Sequence, residues 1–241
     1  MEYSRRHADV YEAVMRSRGK DWEGEARLVA ELVRDRHPQA RSLLDVACGS
    51  GVHLESFRAL FDEVAGLELS EPMRVRARRR VPGTPVHVGD LRCFRLDRSF
   101  DAICCLCFAI AYTATPDELA LALGCMARHL VPGGVLVVEP WWFPERFLDG
   151  HVAGHVAEDG ARVISRVTHS AREGAATRMT VRYTVADAGG ITDFTETELV
   201  TLFTQEEYEA AFERAGCAVE HLPGGPNGRG LFVGMRRPEP G

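Results

Sequence analysis

With 241 residues, 45% of them hydrophobic and 27% charged, the chain has enough material to bury one sizeable core. A net charge of -6 without a basic block excludes a phosphate-tracking nucleic-acid surface, and no apolar run is long enough to span a bilayer. There is no N-terminal stretch of signal-peptide type, and the seven cysteines are odd in number and lack the spacing of a disulfide framework, so a cytoplasmic protein is expected.

In chain order, residues 22–36 place Ala26, Val29, Ala30, Leu32 and Val33 at helical spacing, and Pro38 stops the pattern. Residues 42–47 form a first strand, 52–60 a helix and 63–69 a second strand. Ser70 caps the next helix, with Glu71 and Pro72 in its first turn; the arginines from Arg74 to Arg80 lie on its solvated face. Strands follow at 86–88 and 100–106. The second of these carries Cys104-Cys105-Leu106-Cys107, whose apolar surroundings read as buried strand rather than a metal or redox pair. A helix runs from Pro116 to Leu130, and Pro132-Gly133-Gly134 turns into a fifth strand at 135–139. Three extended stretches without a helix between them come next, at 162–169, 177–186 and 192–203. The alternation through Arg178-Met179-Thr180-Val181-Arg182-Tyr183 has the period of a half-exposed antiparallel sheet. A helix at 205–215, ended by Gly216, and strands at 218–222 and 230–235 close the chain.

This order predicts the α/β class: one domain over residues 1–241, built on a doubly wound, mostly parallel Rossmann-like sheet, with an antiparallel β insertion at 141–203 after strand five. The insertion sits near the carboxyl edge of the sheet, where such folds bind ligands.

The chemistry concentrates at that edge. Asp45-Val46-Ala47-Cys48-Gly49-Ser50-Gly51 ends strand one, and its glycines let backbone approach a ligand closely. Glu68 ends strand two, where a carboxylate can accept both ribose hydroxyls. Asp90 and Leu91 follow strand three, where an acid meets an adenine amino group and an apolar side chain packs on the ring. A nicotinamide-binding fold uses a similar turn, but its third glycine would fall at Leu54. The set predicts S-adenosylmethionine as cofactor, no metal, and a methyltransferase rather than a dehydrogenase.

Longer stretches carry a closer likeness: Arg18-Gly19-Lys20-Asp21-Trp22, Gly66-Leu67-Glu68-Leu69-Ser70, Val138-Glu139-Pro140-Trp141-Trp142-Phe143-Pro144, Arg166-Val167-Thr168-His169-Ser170, and Gly224-Gly225-Pro226-Asn227-Gly228-Arg229-Gly230. On these the chain resembles, almost end to end, the N,N-dimethyltransferases of TDP-linked amino sugars of desosamine and mycaminose type, enzymes of antibiotic biosynthesis. The resemblance implies two methyl transfers to the amine of a TDP-linked deoxy sugar, and a homodimer. It implies cofactor contacts from Trp22, Ala47, Gly49, Gly51, Glu68, Leu69, Asp90, Leu91 and Leu106. Residues 1–38 would form a helical lid, with Tyr3 and Tyr11 over the cofactor and sugar. Lys20, Trp141, Arg166, Arg178 and Arg229 would meet the substrate, arginine suiting a diphosphate by its planar fork. Family members tend to carry a serine pair and then a histidine or tyrosine after strand four. Here Phe108 and Ala109 stand in the serine places and Tyr112 keeps the last. Tyr112 is the candidate catalytic residue, expected to orient the amine or relay its proton. An O-methyltransferase and a silent cofactor-binding partner, its cleft blocked by Phe108, stand as alternatives.

Overall fold

The computed structural model describes residues 4–238, so Tyr3 lies outside the described residues. Helices α1 (Arg5–Ser17) and α2 (Trp22–Arg36) lead into β1 (Ser42–Val46), α3 (Val52–Phe57), β2 (Glu63–Glu68), α4 (Glu71–Arg80), β3 (Val86–Val88) and β4 (Phe100–Cys105). A 3-10 turn (Ala109–Tyr112), α5 (Pro116–Arg128) and β5 (Leu130–Val138) follow. Four long strands come next, β6 (His151–Asp159), β7 (Arg162–Glu173), β8 (Ala176–Asp187) and β9 (Gly190–Thr201), and then α6 (Gln205–Arg214), β10 (Cys217–Leu222) and β11 (Leu231–Arg236).

The first sheet has seven strands in the order β10-β11-β5-β4-β1-β2-β3. Strands β1 to β5 are parallel, and β11 runs antiparallel between β5 and β10. Helices cover both of its faces, so its central strands read as continuous apolar runs. Leu44, Ile103 and Leu136 face α5 and α6, whereas Leu43, Ala102 and Val135 face α2 and Phe57 of α3. Cys104 and Cys105 fall on opposite faces, both fully buried as expected, whereas Cys107 lies past the strand end and is only half-buried.

The second sheet, β6-β7-β8-β9, is antiparallel throughout and is inserted after β5. It has one strand more than the three extended stretches expected. β6 escapes a periodicity search because its valines, Val152 and Val156, point outward and Gly154 interrupts them. Helix α1, capped by Ser4, packs Val10 and Val14 against Ile164, Met179 and Val181 of this sheet. On its other side Asp9 pairs with Arg76, and Glu12 pairs with Arg80 at 2.5 Å, which ties α1 to α4.

Gly51 has a packing role of its own. It caps α3 at φ +79°, and a Cβ there would lie 3.0 Å from both Cα and Cβ of Ala77 in α4. Its backbone faces that helix and is not among the residues lining the cavity beyond β1. Turn geometry and helix packing both constrain the position. Gly51→Ala is expected to lose about 1–3 kcal/mol of stability from strain and overpacking, read by urea unfolding, with cofactor affinity of the folded protein within threefold of wild type.

Candidate active site

Two adjoining cavities open at the carboxyl edge of the parallel strands. The first lies over the ends of β1, β2 and β4. Ala47, Gly49, Glu68 and Leu69 line it from the first two strand ends, Asp90, Leu91 and Leu106 from the next loops, and Trp22 from the start of α2. The sequence expected all eight of these in the cofactor site. Gly49, at φ +57°, has no described atom within 4 Å of a Cβ position, which leaves room for a ligand against the turn. Ala47 takes φ +60° without being glycine, a left-handed conformation that costs about 1–2 kcal/mol and is held by its surroundings.

Three carboxylates shape this cavity differently. Glu68 accepts from the Gly49 amide at 2.8 Å and the Ser70 amide at 2.7 Å. Burial pushes its pKa up, and those amides pull the other way. Asp90 is gripped by Arg92, with Nη2 2.6 Å from Oδ2 and Nε 3.0 Å from Oδ1, which holds its carboxyl below the usual range. Asp45 is 1% exposed, and its Oδ2 has no hydrogen-bond partner. Burial raises its pKa to about 6, against the influence of His53 and of the Cys104 thiol. Sequence reading took Asp45 as the head of the glycine turn and missed it as a ligand group. An orphaned buried carboxylate oxygen facing a cavity suits a cation. Together with Glu68 for a ribose and Leu91 for a ring, the residues present fit S-adenosylmethionine, whose sulfonium and α-ammonium are both cationic.

The second cavity is the larger, about 460 Å³ against about 110 Å³. Helix α1, the inward face of β7 and β8, and the chain after β5 enclose it. Tyr11, Lys20, Trp141, Arg166 and Arg229 line it as expected, and Tyr11 and Cys107 line both cavities. Arg229 is fixed. It pairs with Glu139 and donates to the Pro140 carbonyl at 3.1 Å, while its guanidinium lies 5.4, 5.2 and 5.6 Å from the ring centres of Phe108, Trp141 and Trp142. Phe108 therefore walls the cleft and leaves it open. Lys20 pairs with Glu25 at 2.6 Å, and Glu25 also meets His53 Nε2 at 2.8 Å, so the lysine latches the α1–α2 connection to the rim of the first cavity.

Arg178 does not reach the cleft. Thr177, Met179, Val181 and Tyr183 take the buried positions of β8, so Arg178 falls on the opposite face and pairs with Glu173. The structure adds residues that the sequence did not single out for the site. Arg18 lines the cleft beside Arg166 and Arg229, and burial and those two arginines lower its pKa. His7, pushed down to about 4 by burial and by Arg166, is neutral and bonds the Tyr183 hydroxyl at 3.2 Å. At the junction of the cavities the Tyr112 hydroxyl donates to Glu198 Oε2 at 2.7 Å.

A glycine turn after β1, an acid at the end of β2 and an acid–leucine pair after β3, on a sheet with an antiparallel seventh strand, define an S-adenosylmethionine-dependent methyltransferase of Rossmann-like fold. The family described as a methyltransferase domain matches residues 43–134. Similar proteins extend the match over nearly the whole chain. The dTDP-4-amino-2,3,4,6-tetradeoxy-D-glucose N,N-dimethyltransferase of Saccharopolyspora spinosa is 60% identical, with 97% of this chain and 94% of that one covered. The dTDP-3-amino-3,4,6-trideoxy-alpha-D-glucopyranose N,N-dimethyltransferase of Streptomyces venezuelae is 55% identical, with 95% and 97% covered. The S-adenosylmethionine-bound structure of CalS10, an amino pentose methyltransferase of Micromonospora echinaspora involved in calicheamicin biosynthesis, superposes with a TM-score of 0.88 at 48% identity, with 98% of both chains covered. The chain belongs to the family of dTDP-amino-sugar N,N-dimethyltransferases.

Asp45 yields a pH prediction. Its folded pKa of about 6 lies above the ordinary 3.8, so the native state binds the extra proton between these values and loses stability as pH rises through them. Asp45→Asn should therefore gain stability relative to wild type between pH 4 and pH 7, on the order of 3 kcal/mol from the pKa difference. Urea unfolding of the ligand-free protein at both pH values checks this. The same variant should bind S-adenosylmethionine at least tenfold more weakly by calorimetry.

Proposed function

We propose that this protein methylates the amine of a TDP-linked deoxy amino sugar, twice in two turnovers, in the biosynthesis of an antibiotic. The observation that carries the reading is Arg229, a guanidinium fixed by Glu139 and three aromatic rings in a cleft that joins the cofactor cavity. A pre-oriented planar fork in a positively lined cleft meets a diphosphate with little further loss of side-chain freedom. Arg166 and Arg18 supply the flanking charge, and Trp141 a wall for the nucleotide sugar.

S-adenosylmethionine supplies an electrophilic methyl group on sulfur. Glu68, Asp90 and Leu91 would hold its nucleoside end, and Asp45 would meet its cationic end. Tyr112, at the junction, orients the acceptor nitrogen. Holding amine and methyl in line lowers the barrier by up to about 7–11 kcal/mol, the full extent of the orientation effect. Tyr11 on α1 and Trp22 at the start of α2 are the part of the expected 1–38 lid that walls the cofactor cavity and shields it from water, while the rest of α2 packs on the sheet. The 141–203 insertion forms the other wall.

The same reading makes the protein a cytoplasmic homodimer. Among the described residues no helix is long and apolar enough to cross a membrane. The outward valines Val152, Val156, Val163 and Val167 of β6 and β7 offer an apolar face for self-association.

The sugars named for the two relatives carry the amine at carbon 4 and at carbon 3, so the assay uses TDP-sugars aminated at either position. Mass spectrometry should show gains of one and then two methyl groups on at least one of them. A gain on a hydroxyl sugar alone would refute the reading. Arg229→Ala should raise KM for the sugar nucleotide roughly ten- to a hundredfold, the range of a lost charge-assisted contact, with a smaller change in kcat.

A further inference from the structure

Arg18, Lys20, Arg146, Arg166 and Arg229 line the acceptor cleft, and Glu198 is its one acid among the described residues. Such a lining attracts a diphosphate and repels an ammonium ion. An amino sugar bears both, so its amine needs a local anion at the end of the cleft away from the phosphates. Glu198, in β9, is 4% exposed and accepts from the Tyr112 hydroxyl at 2.7 Å. Tyr112 lines the cofactor cavity and Glu198 the cleft, so this hydrogen bond crosses the point where methyl and nitrogen must meet. A buried carboxylate bound to a hydroxyl at a cavity wall is an expensive arrangement for packing alone.

We infer that Glu198 is the proton acceptor for the amine, acting through the Tyr112 hydroxyl. The amine arrives as an ammonium ion. One N–H bond breaks, and its proton moves to Tyr112 Oη as the Tyr112 proton passes to Glu198 Oε2. The electron pair stays on nitrogen and forms the new N–C bond while the methyl's bond to sulfur breaks, its electrons remaining with sulfur. The nitrogen is then cationic again. Glu198 gives its proton to solvent through the open cleft before the next turnover, so dimethylation uses the relay twice.

The charged and titratable surroundings favour this. Arg166 faces Glu198 from β7, Tyr183 lies on β8, Glu196 shares its strand, and His7 reaches Tyr183 from α1. Burial raises the Glu198 pKa above the ordinary glutamate value, and the Tyr112 hydrogen bond and Arg166 pull it back. A carboxylate tuned upward accepts a proton more readily than a solvated one. Tyr112 oxygen is a poor base alone, and the carboxylate behind it removes the need for a free phenolate.

The inference rests on the amino-sugar reading, and the test separates the two. Wild type, Glu198→Gln, Glu198→Asp and Tyr112→Phe are assayed with S-adenosylmethionine and a TDP-amino sugar from pH 6 to pH 9. For Glu198→Gln the expected result at pH 7 is a kcat lowered roughly a hundredfold, the lower end of what a positioned acid–base group contributes, with KM rising about tenfold as the ammonium loses its anion. Its rate should climb with pH in step with the free amine, whereas wild type reaches a plateau. Glu198→Asp should recover part of kcat, and Tyr112→Phe should lose the plateau as well. A second readout needs no turnover: calorimetry without S-adenosylmethionine should show wild type preferring the amino sugar nucleotide to its hydroxyl counterpart, and Glu198→Gln losing that preference at least tenfold. A thermal shift with S-adenosylhomocysteine equal to that of wild type confirms a folded variant. Wild-type kcat and pH profile in Glu198→Gln, or an effect on KM alone, would overturn the relay. No methylation of any amine by wild type would overturn the amino-sugar reading and the relay with it.

Discussion

The acceptor side of this protein hangs on one buried carboxylate. Glu139, at the end of β5 and 3% exposed, accepts from the Cys107 amide at 2.7 Å, from Asn227 at 2.8 Å and from Arg229. Its own amide donates to the Cys105 carbonyl. The Cys107 contact helps hold Cys107 and Phe108 at φ +53° and +51°, conformations that side chains with a Cβ rarely adopt. The Asn227 and Arg229 contacts fasten the glycine-rich loop before β11 to the same point. Leaving such a buried charge without its partners costs about 3–5 kcal/mol. The geometry of the cleft is thus enforced by the free energy of the fold.

The two cavities divide their ligands by charge through the same device, an acid at a strand end. Glu68 is occupied by backbone amides and keeps its remaining lone pairs for hydroxyl donors. Asp45 keeps one oxygen without a partner and suits a cation. Glu139 is turned inward on Arg229, so what the cleft presents is the arginine. A cationic donor and an anionic nucleotide are therefore drawn to neighbouring cavities of opposite character. Tyr11, Cys107 and Tyr112 line their border.

Much of this was legible in the sequence. Strands β1, β2 and β4 read cleanly because both faces are covered, which leaves apolar runs bounded by glycine, serine or acid. The strand-end acids follow at once, since topology fixes where a parallel strand ends. Reading failed where a side chain's face, rather than its element, decides the answer. Arg178 was assigned to the substrate although Met179 and Val181 beside it already alternate inward, which turns the arginine out. Glu198 sits in Thr195-Glu196-Thr197-Glu198-Leu199, a run whose polarity reads as solvent, and it is buried because the cleft behind β9 is itself polar. β6 was invisible because its valines face outward and its only inward apolar residues are alanines. Asp45 was seen as a strand end, but an unpaired oxygen is a property of the folded neighbourhood and has no sequence signal.

The departure from the serine pair after β4 takes a physical meaning from these contacts. A serine hydroxyl beside the donor could bind a sugar or phosphate oxygen directly. Phe108 has no such group, but its ring centre lies 4.4 Å from that of Trp141 and 5.4 Å from the Arg229 guanidinium. It therefore stiffens the arginine and keeps water from it, which strengthens each remaining ionic contact. Ala109, buried at the start of the 3-10 turn, belongs to the core cluster with Leu44 and Phe203 and offers no hydroxyl, whereas Tyr112, the turn's last residue, does. The substitution exchanges hydrogen bonds to the ligand for rigidity of the groups that hold it. Polar contact at the reacting end then falls to Tyr112 and Glu198.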